Sequence, residues 1–110
     1  MLREFADRVR ACTRGIDLVA RLGGEEIVVL LPDTTLDSAR MVAERIRERV
    51  EGERFRIQDG AHAVAVTVSV GVATRRTGDT AAAEMMKRAD EAVYLAKAAG
   101  RNRVIVAQAA

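Results

Sequence analysis

The stretch Arg21-Leu22-Gly23-Gly24-Glu25-Glu26-Ile27 decides how this chain folds. Its two glycines separate an alternating run, Asp17 to Leu22, from a continuous apolar run, Ile27-Val28-Val29-Leu30-Leu31. The central positions of a tight two-residue turn take positive φ, which glycine accepts without a Cβ clash, so the pair predicts a β-hairpin turning at Gly23 and Gly24. Glu25 and Glu26 follow at once. Two carboxylates at the mouth of a turn repel each other, and nothing in local folding asks for them. A divalent cation or a polarised hydroxyl would.

Ahead of the hairpin, Leu2, Phe5, Ala6, Val9 and Cys12 recur at spacings of three and four, which predicts a helix ending near Arg14-Gly15. Behind it, Asp33-Thr34-Thr35 offers N-cap oxygens to a second helix. Leu36, Ala39, Val42, Ala43, Ile46 and Val50 keep its apolar stripe up to Glu51-Gly52. Residues 53–62 lack periodicity and read as a loop or short edge segment. His62, the single histidine, has no second ligand nearby and reads as a surface or structural residue.

Ala63 to Ala73 is β-branched and almost wholly apolar, with Thr67, Ser69 and Gly71 on one face, and predicts one long interior strand. Thr77-Gly78-Asp79-Thr80 is turn and cap. Ala81 to Ala99 predicts an alanine-rich helix that buries Met85, Ala89, Ala92, Val93 and Ala96 and ends at Gly100. Val104 to Ala107 closes the chain as a short strand. The order is that of a single α/β domain over residues 1–110, a sheet backed by helices on one face.

Composition agrees with one small domain: 110 residues, 49% apolar and 31% charged. The formal charge of +2 comes from 18 basic and 16 acidic side chains, many of them adjacent, as in Arg3-Glu4, Asp7-Arg8 and Glu44-Arg45. That is a mixed-charge surface. With no long basic run and only Phe5, Phe55 and Tyr94 to stack on bases, the chain is not read as a nucleic-acid binder. The lone Cys12 falls on the first helix's apolar stripe, forms no internal disulfide and points to a reduced compartment. No window has a membrane span or a signal h-region, so the expected location is the cytoplasm, with no membrane contact.

Gly23-Gly24-Glu25-Glu26-Ile27 resembles the signature of GGDEF domains, the diguanylate cyclases that condense two GTP into cyclic di-GMP. Arg14-Gly15-Ile16-Asp17 resembles the family's RxxD inhibitory motif. Further matches are Val68 to Ala73 and, near the end, Lys87-Arg88-Ala89-Asp90, Tyr94, Ala96-Lys97 and Gly100-Arg101-Asn102. The resemblance implies a nucleotidyl-cyclase-like, ferredoxin-like palm, an α+β sandwich whose mostly antiparallel sheet is backed by helices.

It also implies roles. Glu25 would bind Mg²⁺ or Mn²⁺ and accept the proton of the attacking 3′-hydroxyl, with Glu26 a second metal-side carboxylate. Gly23 and Gly24 would let backbone approach the GTP. Lys97 and Arg101, four apart at the end of the last helix, would converge on its phosphates, although cations there also suit the helix dipole. Arg14, Asp17 and Arg45 would hold the product as feedback inhibitor, the guanidinium on guanine O6 and N7 and the carboxylate on its N1 and N2 donors. A local Arg-Asp pair closing the turn is the plainer alternative. Lys87, Arg88 and Asp90 read at least as well as a solvated helix face with ion pairs, which contributes little.

Two departures stand out. Ile27 occupies a position where the family usually has Phe, a tolerable packing change. The family's first strand and first helix, with a metal-binding Asp, a phosphate-contacting Lys and the guanine-reading Asn and Asp, have no counterpart in these 110 residues. The expectation is therefore a partial domain, inactive alone, from a parent with an upstream receiver or sensor domain. The absent strand is central in the family, which predicts direct pairing of its two neighbours or a strand-exchanged homodimer. A non-catalytic module that binds cyclic di-GMP through the RxxD site is the alternative function, and a structural remnant that binds neither nucleotide is a third.

Overall fold

The computed structural model describes residues 2–15, 17–23, 26–57, 60 and 62–107. Its elements run α1 Leu2–Ala11, β1 Leu18–Gly23, β2 Glu26–Leu30, α2 Leu36–Gly52, β3 Phe55–Ile57, β4 His62–Val64, β5 Val70–Val72, α3 Ala82–Ala98 and β6 Val104–Val106. The helices lie where their stripes place them. Thr35 caps α2 by accepting from the Ser38 amide at 3.2 Å. At the start of α3, Thr80 donates two hydrogen bonds to the Glu84 carboxylate, from its N–H and its O–H, both at 2.9 Å.

The strands form three two-stranded sheets: β1–β2 and β3–β4 antiparallel, β5–β6 parallel. The hairpin is present, with its turn displaced by one residue. Leu18 pairs with Leu30 and Arg21 with Ile27, the register shifts, and Gly23 then pairs with Glu26. A bulge in β1 absorbs one residue. The residues between the paired ends are therefore Gly24 and Glu25, which lie outside the described residues, and not Gly23 and Gly24.

The long strand expected over residues 63–73 is two short ones. From β4 to β5 the alternation survives: Val64, Val66 and Val68 are half-buried against the core while Ala63, Ala65 and Thr67 are exposed. Ala63 and Val64 pair with Arg56 and Phe55 of β3, whereas residues 65–69 belong to no strand. Residues 53–62, expected as a loop or short edge segment, contribute the three-residue strand β3, and Phe55 within it is fully buried. Direct pairing of β2 with β5 does not occur. They flank an apolar groove of about 550 Å³, with Val29, Val42, Val70, Met85 and Val93 in its lining.

Val9, Cys12, Ile46, Val50 and Phe55 make the main core, where α1 lies against α2. Phe55→Ala would cost about 3–5 kcal/mol. A second contact joins α3 to β5 through Gly71, where an added Cβ would come within 2.2 Å of the Ala89 carbonyl oxygen and 2.7 Å of the Val93 nitrogen. Only a glycine lets strand and helix approach this closely.

Arg8 is the exception to the mixed-charge surface. It is buried, its guanidinium lies 3.7 Å from the centre of the Phe55 ring, and it donates to the carbonyls of Val50, Glu53 and Arg54 at 3.4, 2.5 and 2.9 Å. These are carbonyls at and just beyond the C-terminal end of α2, which would otherwise lack partners. Among the described residues, no helix is long and apolar enough to cross a membrane.

Candidate functional site

The hairpin brings the paired residues Gly23 and Glu26 to its tip. Gly24 and Glu25 lie outside the described residues, as does the side chain of Glu26. Among the described residues no three carboxylate, imidazole or thiolate groups converge as a metal site. The assignments of catalyst and metal ligands to Glu25 and Glu26 therefore rest on the sequence.

At the base of the hairpin the structure does join Arg14 and Asp17. The Asp17 carboxylate accepts from the Arg14 amide at 2.7 Å and from its guanidinium Nε and Nη2 at 3.3 and 3.0 Å, while the Asp17 amide donates back to the Arg14 carbonyl at 3.0 Å. Nη2 also donates to the Pro32 carbonyl at 3.1 Å and the Thr34 hydroxyl at 2.8 Å. Asp33, left-handed at φ 49°, turns the chain between those two acceptors. The turn before β1 is thus tied to the loop before α2.

Hydrogen bonds from the Arg14 side chain, and then from its amide, hold the Asp17 carboxyl below the usual aspartate value, and the same contact raises the Arg14 guanidinium. The Asp17 side chain is 1% exposed and that of Arg14 53%. The carboxylate is buried and bonded by its own arginine, and the guanidinium is half-exposed. Arg45 is exposed on α2, and no hydrogen bond or ion pair joins it to the pair among the described residues. The local pair is formed, and it leaves Nη1 of Arg14 without a protein partner among the described residues.

Lys97 and Arg101 do not share a helix face. α3 ends at Ala98, and the chain reverses through Gly100 at φ 125° and Arg101 at φ 64°. Gly100 N–H donates to the Lys97 carbonyl at 3.4 Å and Arg101 N–H to the Ala96 carbonyl at 2.9 Å, the paired bonds of a Schellman cap. The cap, and not four-residue helical spacing, places Arg101. Both side chains are exposed and without an ion-pair partner among the described residues.

Sequence reasoning missed one arginine's role. Arg88 is not part of a solvated face: it makes two 2.7 Å bonds to the two oxygens of Asp79 and a third to the Thr74 carbonyl, with the pair's side chains only 15% and 9% exposed. Asp79 is held far below the usual aspartate range by Arg88 and by the Arg76 amide, which donates to it at 2.8 Å. The signal available was Gly78-Asp79 in a turn nine residues before an arginine, too weak to find unaided.

A family profile described as "Diguanylate cyclase, GGDEF domain" matches residues 1–103. The chain belongs to the GGDEF family. The response regulator PleD of Caulobacter vibrioides is 53% identical over 106 residues, 96% of this chain and 23% of PleD. Diguanylate cyclase A of Treponema denticola is 42% identical over 108 residues, 98% of this chain and 29% of that protein.

Among solved GGDEF structures, the domain of DgcB from Caulobacter crescentus, in complex with c-di-GMP, has TM-score 0.84 at 28% identity, covering 96% of this chain and 62% of that one. The active GGEEF domain of a Vibrio cholerae diguanylate cyclase has TM-score 0.80 at 28% identity, covering 99% and 67%. This chain thus spans under a third of those curated relatives and about two thirds of those solved chains.

Proposed function

We propose that the chain is the hairpin-bearing part of a diguanylate cyclase that condenses two GTP into cyclic di-GMP. The observation that carries this reading is the GGDEF match over residues 1–103, which takes in Gly23-Gly24-Glu25-Glu26-Ile27 together with Lys97 and Arg101. The reaction is attack of a ribose 3′-hydroxyl on the α-phosphorus of a second GTP, with pyrophosphate leaving. Such a transfer needs alignment and charge neutralisation more than covalent help.

Gly23 and Gly24 admit the nucleotide close to backbone, Lys97 and Arg101 take phosphate oxygens, and Glu25 receives the 3′-hydroxyl proton. Glu25 and Glu26 are the carboxylates that would hold Mg²⁺ or Mn²⁺, an ion that when bound neutralises phosphate charge and acidifies the hydroxyl. Two protomers, each with one GTP, supply the two half-sites of a homodimer. The open edges of β2 and β5 offer a route to strand exchange between them. A receiver or sensor domain upstream would set how the protomers meet.

The 110 residues alone turn over little or no GTP, because the guanine-reading residues and one metal carboxylate implied by the family fall outside them. Incubating the full-length protein with GTP and Mg²⁺ should give cyclic di-GMP by chromatography, and Glu25→Ala should abolish it. Absence of product from the full-length protein overturns the reading; turnover by the 110 residues alone refutes the incomplete half-site.

A second reading, a cyclic di-GMP-binding module with no turnover, is favoured by the formed Arg14–Asp17 pair with its half-exposed guanidinium. In the cyclase, product held by Arg14, Asp17 and Arg45 would keep the half-sites apart as feedback inhibition. In the module, that binding is the whole function. Calorimetry with cyclic di-GMP tests the site that both share: no heat, or heat unchanged in Arg14→Ala, removes the product site from both readings, and GTP turnover by the full-length protein separates them.

A further inference from the structure

The turn that carries Arg101 is held from a second helix. Gly100, Arg101 and Asn102 all have positive φ, at 125°, 64° and 47°. Glycine accepts that backbone freely and asparagine tolerates it, but an arginine stays there only when its surroundings impose it. The Schellman bonds of Lys97 and Ala96 fix the N-terminal side of the turn. The C-terminal side is fixed by Asn102.

Asn102 Oδ1 accepts from Arg47 Nη1 at 3.2 Å, and its Nδ2 donates to Glu51, both partners lying on α2 and more than fifty residues away in sequence. Arg47 is itself held by Glu44 at 3.2 Å and Glu51 at 3.5 Å, and its side chain is only 18% exposed. The next residue, Arg103, leads into β6, its carbonyl accepting from the Val70 amide at 2.9 Å. Arg101 therefore sits between a helix cap and a clamp. Its neighbours are pinned on both sides, while its own guanidinium is exposed and makes no hydrogen bond among the described residues.

A turn that served only to connect α3 with β6 would need neither an arginine in left-handed backbone nor an amide bonded through both of its ends to another helix. We propose that Asn102, gripped by Arg47 and Glu51, is a positioning residue that keeps Arg101 left-handed and aims its guanidinium at the phosphate oxygens of a nucleoside triphosphate. This rests on the reading of Lys97 and Arg101 as phosphate ligands. Asn102 touches no substrate; it acts through Arg101.

The test uses the full-length protein, with steady-state GTP kinetics and calorimetry of a non-hydrolysable GTP analogue. Asn102→Gly keeps the left-handed backbone accessible and removes the clamp, and Glu51→Ala releases the clamp from the other side. Each should raise the GTP KM and weaken the analogue by about 3- to 10-fold, with kcat within about twofold. In an Arg101→Ala background, Asn102→Gly should cost nothing further, since the residue through which it acts has gone.

Equal losses from Asn102→Gly with and without Arg101 would overturn the positioning role. So would unchanged analogue affinity in both clamp variants alongside a lowered melting point, which would mark a purely structural contact. Unchanged KM and analogue affinity in Arg101→Ala would overturn it differently, by removing the phosphate reading on which it rests.

Discussion

The chain contains the same local device twice. In Arg14 to Asp17 and again in Arg76 to Asp79, the first residue's amide donates to the aspartate carboxylate, at 2.7 and 2.8 Å, and the aspartate amide donates back to the first residue's carbonyl at 3.0 Å. Both sequences read Arg-x-x-Asp. They differ in which guanidinium reaches the carboxylate. At Asp17 it is that of Arg14 itself, 53% exposed. At Asp79 it is that of Arg88, from the second turn of α3 and 15% exposed, which also takes the Thr74 carbonyl. The first pair closes a turn and leaves a cation half-exposed; the second fastens a helix to the loop that precedes it. A motif of four residues does not distinguish a ligand site from a structural pin. The origin and exposure of the arginine do.

Substitutions should separate the two. The largest effect on folding is expected from Arg88→Ala, which leaves a nearly buried Asp79 without its guanidinium and frees the N-terminal half of α3. Its thermal midpoint should fall by several degrees, while that of Arg14→Ala barely moves. Equal shifts would dissolve the distinction. On cyclic di-GMP binding the order reverses. Arg14→Ala should weaken calorimetric affinity on the order of 10- to 100-fold, the range for hydrogen bonds from a charged group, while Arg88→Ala, held below its melting point, binds normally.

Acid should act on both pairs with the same sign. Each carboxyl is depressed from the usual 3.8, so its stabilisation is complete above that value and is lost as pH falls through the lower folded one. Urea midpoints should therefore hold steady from neutral pH down to about 4 and drop below it. Asp79→Asn should remove more of that acid dependence than Asp17→Asn, since Asp79 is the more strongly depressed. The smallest effect is expected at Thr34. Thr34→Val deletes one neutral acceptor from Arg14 and should change cyclic di-GMP affinity by about tenfold at most.

The helices were legible because their information is local. An apolar residue every three or four positions sets the buried face, and Thr35 and Gly100 sit where a cap oxygen and a left-handed residue are needed. The hairpin was legible too, apart from the bulge that shifts the register so that Gly23 pairs with Glu26, since a one-residue slip depends on which cross-strand partners win. Residues 63–73 show the limit most clearly. Their β-branched alternation determined that Val64, Val66 and Val68 turn inward, but a strand exists only where a partner supplies ladder bonds, and for Val70–Val72 that partner, β6, lies beyond α3.

The candidate site divides along the same line. By itself the sequence determined the acidic hairpin, the Arg14–Asp17 turn and the family, all carried by short contiguous motifs. Tertiary structure alone decided that Arg8 lies under the core against Phe55, that Arg88 pins Asp79, and that Arg101 is placed by a cap and by a clamp from α2 and not by helical spacing. In each case a guanidinium can reach several partners with equal chemical right, and only the packing of distant elements selects one.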